Sequence, residues 1–301
     1  MLKRIHPGGL IGLFGLLFFI DVASAVTLVD DRGHEVTVER SPARIVSMSP
    51  HVTELLFAIG AGDRMVGADE YSDFPQAARR LTRIGNSSRI DIERVLSLKP
   101  DLVIGWESGN DASDVAKLEQ FDIPVYITEA GSLDNIADQL ISLGKLVGSP
   151  DAANVAAGRF RQRLGELKAV YAGKGQVSVF YQAWDRPLMT VNGRHFISDA
   201  IRLCGGVNLF PDLEPLAPTI SKEAVVSANP QVIMTDHPGN DDATSLSMWG
   251  NWKSIDAVKY GNLFTIPSDL IARPTPRILE GVAMICDALE RARIKLERNK
   301  E

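Results

Sequence analysis

Glu93-Arg-Val-Leu-Ser-Leu-Lys-Pro-Asp-Leu-Val-Ile-Gly105 and Glu223-Ala-Val-Val-Ser-Ala-Asn-Pro-Gln-Val-Ile-Met-Thr235 carry Glu, Val, Ser and Pro in the same register, 130 residues apart. Each begins as a short helix that breaks at Lys99-Pro100 or Asn229-Pro230, because proline lacks a backbone donor and pushes the residue before it out of the helical region. An apolar run follows, the pattern of a strand buried on both faces. A helix-then-strand unit that occurs twice predicts two similar α/β lobes. Two lobes leave a cleft, and clefts between domains are preferred places for ligands.

The flanking sequence extends the alternation. Residues 26–39 alternate as an edge hairpin turning at Asp31-Arg-Gly33. Residues 45–48 read as a buried strand. Ser49-Pro50 then opens a helix, with Ser49 as cap and Pro50 at the first position. Further strands fall at 66–68, 102–105 and 125–127, with helices at 110–121 and 133–146. From 151 to 172 there is no proline and much Ala, Leu, Arg and Glu, which predicts one helix of about 22 residues and about 33 Å. It lies between the two copies of the repeat and reads as a stiff connector. A second lobe restarts with a strand at 177–181. A helix at 196–203 and αβ units at 223–236 and 263–266 follow, and a helix over 274–293 closes the chain. Strands alternating with helices mean parallel sheets covered on both faces. The division expected is 26–148 for the first lobe, 149–173 for the linking helix and 174–301 for the second lobe.

Residues 1–25 stand outside this scheme. Lys3 and Arg4, an apolar stretch from Leu10 to Ile20 and Ala23-Ser-Ala25 make a secretory signal peptide, with Val26 the first mature residue. The apolar stretch is too short for a spanning helix, which needs about 20 residues. No cysteine follows it to carry a lipid anchor. Removing Lys3, Arg4 and Asp21 with the leader takes the formal charge from −6 to −7. An acidic chain is a poor partner for nucleic acid. Of the two cysteines, Cys204 and Cys286, export favours a disulfide over two buried thiols. A loop of this length adds about 4 kcal/mol in the chain-entropy model.

Several phrases taken together resemble a known class. They are Arg44-Ile-Val-Ser-Met-Ser-Pro50, Thr53-Glu-Leu-Leu-Phe-Ala58, Tyr71-Ser-Asp-Phe-Pro75, Leu98-Lys-Pro-Asp-Leu-Val-Ile-Gly-Trp106, Cys204-Gly-Gly-Val-Asn-Leu-Phe210, Arg273-Pro-Thr-Pro-Arg277 and Cys286. They resemble the periplasmic binding proteins for vitamin B12, and more broadly the metal-chelate class that also binds ferric siderophores and haem. The likeness covers nearly all of the mature chain. It implies a class III periplasmic binding protein: α/β, two lobes with mostly parallel sheets, one rigid helix between them. It implies a monomer in the periplasm that holds cobalamin or a related corrinoid in its cleft, with ferric siderophore or haem as the alternative ligand. It implies no cofactor, and delivery to an inner-membrane ABC importer through a permease dimer. It also pairs Cys204 with Cys286.

The loops after the expected strands supply the candidates for ligand contact, since ligands of parallel α/β lobes sit beyond the carboxyl ends of strands. Tyr71 and Phe74 follow the second strand and Trp106 the third. Trp184 and Arg186 follow the first strand of the second lobe, and Asp269 and Arg273 the last. A large flat ligand needs aromatic faces and a few polar anchors. The resemblance places Tyr71, Trp106, Asp269 and Arg273 at positions that B12-binding relatives use. Where the best-known B12 binder carries further aromatics, this chain reads Ser87, Ala217 and Leu270. Asp269 beside Arg273 suits a neutral, amide-rich ligand better than an anionic siderophore, for which Arg186, Arg194 and Arg273 would be the candidates.

Glu93 and Glu223 occupy matched places in the repeat, each in the first turn of its helix, where a carboxylate complements the helix dipole. Two matched acids on matched lobes also suit a transporter with two identical subunits, and the resemblance implies that role. Metal ligation is not expected: His34, His51, His195 and His237 share no ligand spacing. A hydrolase reading lacks Gly-x-Ser-x-Gly, and Ser47-Met-Ser-Pro-His51 is a strand end and helix start. A structural exported protein is the remaining alternative. A helix between lobes predicts little hinge closure.

Overall fold

The computed structural model describes residues 25–236 and 245–299. The expected leader lies outside these except for Ala25, as does His237. β1 (Val26–Val29) and β2 (Glu35–Val38) form the expected antiparallel hairpin, with Gly33 at φ 84° in its turn. Next come β3 (Ile45–Ser47), α1 (Pro50–Ala58), β4 (Met65–Ala68) and β5 (Thr82–Arg83). A small hairpin of β6 (Gly85–Asn86) and β7 (Arg89–Ile90) leads to α2 (Ile92–Ser97), β8 (Leu102–Trp106), α3 (Ala112–Glu119), β9 (Val125–Thr128) and α4 (Leu133–Leu146). α5 (Pro150–Tyr171) is the long helix. β10 (Val177–Gln182), a hairpin of β11 (Trp184–Asp185) and β12 (Leu188–Met189), α6 (Phe196–Leu203) and β13 (Gly206–Asn208) follow. The chain ends through α7 (Lys222–Ala228), β14 (Val232–Thr235), α8 (Asp256–Lys259), β15 (Leu263–Thr265), α9 (Ser268–Ile271) and α10 (Ile278–Arg298).

Two parallel sheets result, ordered β5-β4-β3-β8-β9 and β13-β10-β14-β15. Leaving aside the added edge strand β5, both run in the order second, first, third, fourth. The repeated phrase occupies the same place in each: α2 into β8, α7 into β14. Even the break between helix and strand matches, with Lys99 at φ 47° and Asn229 at φ 46°. This left-handed conformation ends the helix one residue before the proline. Asn tolerates it well, and Lys tolerates it at a cost.

Each sheet is covered on both faces. The outer face of the first packs Val46, Val103 and Val125 on Val95 of α2 and Leu118 of α3. The outer face of the second packs Phe180 and Ile233 on Val225 of α7, Trp249 and Ile255. The inner faces do not form two further cores. Val52 and Leu55 of α1, Ile136 and Leu140 of α4, Phe160 and Leu164 of α5, Val179 and Tyr181 of β10, Ile201 of α6 and Val282 of α10 belong to one continuous cluster.

α5 is the centre of that cluster. It buries Ala153, Ala157, Phe160, Leu164 and Leu167, a stripe stepping by four and three residues as an amphipathic helix requires. It packs along α4 and also touches α1, α6 and α10. The approach to α4 is close: a Cβ on Gly144 would lie 2.1 Å from the Cβ of Ala153. Arg161 and Lys168 add ion pairs to Asp138 and Asp134 of α4. The connector is therefore a packed helix of the shared core rather than a free strut. Cys204, at the end of α6, is bonded to Cys286 in α10.

Some boundaries differ from expectation. α10 starts at Ile278 rather than 274, since Pro276 disfavours helix at Thr275, whose N–H turns back to the Arg273 carbonyl at 2.8 Å. Ser49 sits at the cap of α1, but its hydroxyl meets Nδ1 of His51 at 3.2 Å instead of a backbone N–H. α9 and β5 were not expected; both are too short to show periodicity. Truncating Phe160 to Ala is expected to remove about 3–5 kcal/mol of stability and to move both lobes together. Denaturant unfolding followed by tryptophan fluorescence and by circular dichroism should give coincident transitions; a shift confined to one of two separate transitions would show that the lobes do not share a core.

Candidate functional site

Trp106, Asp69 and Met48 stand at the carboxyl ends of β8, β4 and β3. Asn110 fastens this end of the sheet. Its Oδ1 accepts the Trp106 N–H at 2.7 Å, and its Nδ2 donates to the Met48 and Ser87 carbonyls at 3.0 Å each. The Trp106 ring is half-buried and held in place. His51 meets it edge-on at 5.3 Å, and it lies so close over Gly109 that a Cβ there would come within 1.9 Å of the indole. Gly109 is thus required by the ring.

His51 is buried. Burial, with the Arg273 charge added, lowers its pKa from 6.5 to about 3, so it is a neutral packing partner for Trp106. The loop after β4 carries Tyr71, 60% exposed, and Phe74, 42% exposed. It is tied down beneath these rings. Ser72 Oγ lies 2.8 Å from Thr53 Oγ1 of α1, and Arg83 donates to the Asp69 and Ser72 carbonyls at 3.0 and 2.9 Å. The Asp69 carboxylate accepts the Tyr71 N–H at 2.8 Å. Burial raises this carboxyl to about 6, against the pull of hydrogen bonds from the Tyr71 and Ser87 backbones.

In the second lobe, Trp184 and Arg186 stand together on the hairpin beyond β10. The Trp184 indole, 43% exposed, donates to the Arg186 carbonyl at 3.1 Å. The Arg186 guanidinium is exposed and 3.8 Å from Asp185. Arg194 donates to the Glu214 carbonyl. Asp269 lies in the first turn of α9, and Arg273 just beyond it.

Arg273 and Arg277 do not stand free. They reach across to α1 of the first lobe and close on Glu54. Arg273 Nη1 donates to Glu54 Oε1 at 3.0 Å and to Asp73 Oδ1 at 2.6 Å, and Nη2 donates to the Tyr71 carbonyl at 3.2 Å. Arg277 takes Glu54 in a bidentate grip, Nε to Oε2 at 2.9 Å and Nη2 to Oε1 at 2.8 Å. Its guanidinium also lies 3.8 Å from the centre of the Phe74 ring, a cation–π distance. Asp269 pairs with Arg277 at 3.7 Å rather than with Arg273, which is turned toward Glu54 and Asp73. Burial opposes the Arg273 charge, but hydrogen bonds to Asp73 and Glu54 outweigh it and raise its pKa.

The structure thus brings Tyr71, Phe74, Asp269 and Arg273 together around a centre that the sequence reading did not single out, Glu54 with Arg277. The signal was present: an acid between Val52 and Leu55-Leu56 of an apolar helix must find a partner if buried, and its side chain is only 3% exposed. Trp184 with Arg186, and Trp106 with His51, form separate groups. Leu270 lines a groove of about 730 Å³ between α5 and α10. Glu93 and Glu223 are both exposed, in the first turns of α2 and α7, behind capping side chains of Asp91 and Ser221. His195 caps α6 through Nδ1, which accepts the Ile197 N–H at 3.2 Å. Among the described residues, no three His, Cys, Asp or Glu side chains group as a metal ion requires.

The buried His51 has a consequence for acid stability. Its folded pKa of about 3 lies below the ordinary 6.5, so in that window the unfolded chain binds a proton that the folded chain refuses, and stability falls as pH falls. The stability difference between the wild type and His51→Asn is expected to shift by about 1.4 kcal/mol per pH unit in the variant's favour on acidification. Chemical denaturation at a series of pH values measures it; a flat difference would contradict a neutral buried His51. Asp69 and His195 also titrate here, but both proteins share them.

Residues 45–270 match the family of periplasmic binding proteins. The vitamin B12-binding protein of Vibrio cholerae serotype O1 is 39% identical over 248 residues, 82% of this chain and 89% of the relative. That of Yersinia pestis is 31% identical over 274 residues, 91% of this chain and 94% of the relative. The crystal structure of the periplasmic vitamin B12 binding protein BtuF of Vibrio cholerae matches with a TM-score of 0.78 at 38% identity, covering 84% of this chain and 98% of that one. The periplasmic heme-binding protein RhuT of Roseiflexus sp. RS-1 matches with a TM-score of 0.71 at 22% identity, over 83% of this chain and 98% of that one, a likeness of fold alone. With two parallel α/β sheets, a long helix packed between them and this match over most of its length, the chain belongs to the periplasmic binding protein family.

Proposed function

We propose that this chain captures cobalamin or a related corrinoid in the cleft between its lobes and delivers it to an ABC importer. The observation that carries the reading is the likeness to vitamin B12-binding proteins along most of the chain. The local chemistry supports it. A corrin is a broad, largely apolar disc rimmed with amides, and Tyr71, Phe74, Trp106 and Trp184 offer ring faces at strand ends. Arg186, Asp269 and Arg273 supply polar groups beside them. The reading requires binding and release without chemistry on the ligand.

The mature protein in this reading starts at Val26 after export. It divides into lobes 26–148 and 174–301 with the helix 149–173 between them, and works as a monomer in the periplasm. The Cys204–Cys286 disulfide suits an oxidising compartment. Glu93 and Glu223, exposed at equivalent helix starts, would each meet a cationic group on one of two permease subunits, and such pairs set orientation and on-rate more than affinity. The core shared through α5 supports small movement between lobes.

Titration of the mature chain with cyanocobalamin, followed by tryptophan quenching and calorimetry, is expected to give one saturable site at about micromolar or tighter. Trp106→Ala should weaken it by about tenfold or more. Absence of binding in a folded protein would move the ligand to a ferric siderophore or haem. Reversing the charge at Glu93 and Glu223 together should abolish uptake while leaving cyanocobalamin affinity unchanged; intact uptake would rule out docking through these acids.

A further inference from the structure

We propose that Glu54 sets the charge selectivity of the ligand site: by holding Arg273 and Arg277 as ion pairs it leaves neither guanidinium available to a carboxylate, so the site takes a neutral, amide-rimmed ligand and rejects its acidic counterparts. The proposal rests on the corrinoid reading and narrows it. Glu54 Oε1 accepts from both arginines and Oε2 from Arg277. The remaining contacts of the two guanidinia go to Asp73, Asp269, the Tyr71 carbonyl and the Phe74 ring. Three carboxylates therefore face these two guanidinia, with Arg79 beside Asp73 as a further cation.

The position of this group makes its charge matter to a ligand. Arg273 donates to the backbone carbonyl of Tyr71 and Arg277 lies over the ring of Phe74, the two residues whose rings are exposed beyond β4. Glu54 is almost wholly removed from solvent and the arginine side chains are 17% and 19% exposed, so water screens the group poorly. Remove the Glu54 charge, and Arg273 keeps only the carboxylate of Asp73 while Arg277 keeps only the longer contact to that of Asp269. The N–H groups that Glu54 occupied are then freed beside the aromatic loop, and a guanidinium with free N–H groups binds carboxylates in bidentate fashion. A purely structural ion pair predicts something else. Buried pairs contribute little net stability against uncharged replacements, and losing one would change the melting temperature without changing which ligand is preferred.

The test compares cyanocobalamin with its monocarboxylic acid derivatives, in which one peripheral amide is hydrolysed and the shape is nearly kept. Calorimetry is run on the wild type, Glu54→Gln and Asp73→Asn, with circular dichroism to confirm folding. The wild type should prefer the neutral ligand by about tenfold or more, and Glu54→Gln should shrink that ratio by about tenfold or reverse it. Asp73 is half exposed and its loss should not unfold the chain, so Asp73→Asn should shift the ratio the same way by a smaller factor. An unchanged ratio in folded Glu54→Gln overturns the proposal; if that variant does not fold, an unchanged ratio in Asp73→Asn does so. If the wild type binds no corrinoid, the functional reading fails by itself, and the same proteins titrated with haem and haem dimethyl ester decide the charge rule.

Discussion

One apolar core runs through both halves of this protein, and α5 is the element that makes it continuous. The stripe from Ala153 to Leu167 lies against α4, while the same helix touches α1, α6 and α10. A helix with one stripe buried in the core cannot leave its place without exposing that stripe, and exposed apolar area costs about 25 cal/mol per Å². The core that α5 closes is thus shared by both lobes. The small side chains at the crossing, Gly144 and Ala153, let the two helices approach closely enough for the core to close.

The charges around Glu54 follow from this packing. α1 must be apolar where it enters the shared core, with Val52, Leu55 and Leu56 fully buried. Glu54 on the same helix is carried into a nearly dry place and needs compensation there. The C-terminal lobe supplies it from the segment between α9 and α10, where Pro274 and Pro276 keep the chain out of helix and let Arg273 and Arg277 both face α1. A contact of this kind adds little to stability. It fixes which charges of the two guanidinia are already taken.

Packing also decides what the aromatic residues present. Trp106 is clamped between His51 and Gly109, so its indole is held in one orientation, and His51 is too deeply buried to carry charge at neutral pH. Tyr71 and Phe74 keep exposed rings because the hydrogen bonds that hold their loop lie underneath, between Ser72, Thr53, Arg83 and Asp69. Preorganised aromatic faces lose little conformational freedom on binding, which favours affinity for a rigid disc-like ligand.

By itself the sequence determined the alternation of strands and helices, the duplicated unit with its proline breaks, the 22-residue helix and the two cysteines. These are local properties: periodicity, capping and proline stereochemistry act within a few residues, so they can be read along the chain. It also placed Tyr71, Phe74, Trp106, Trp184, Arg186, Asp269 and Arg273 at strand ends. It did not reveal that Arg273 and Arg277 would spend their hydrogen bonds on Glu54, more than 200 positions away, nor that Asp269 would pair with Arg277. Nor did it show whether the long helix was a strut or part of the core. Those outcomes depend on which faces meet when the two lobes close on α5, and long-range partners leave no periodic trace in a single chain.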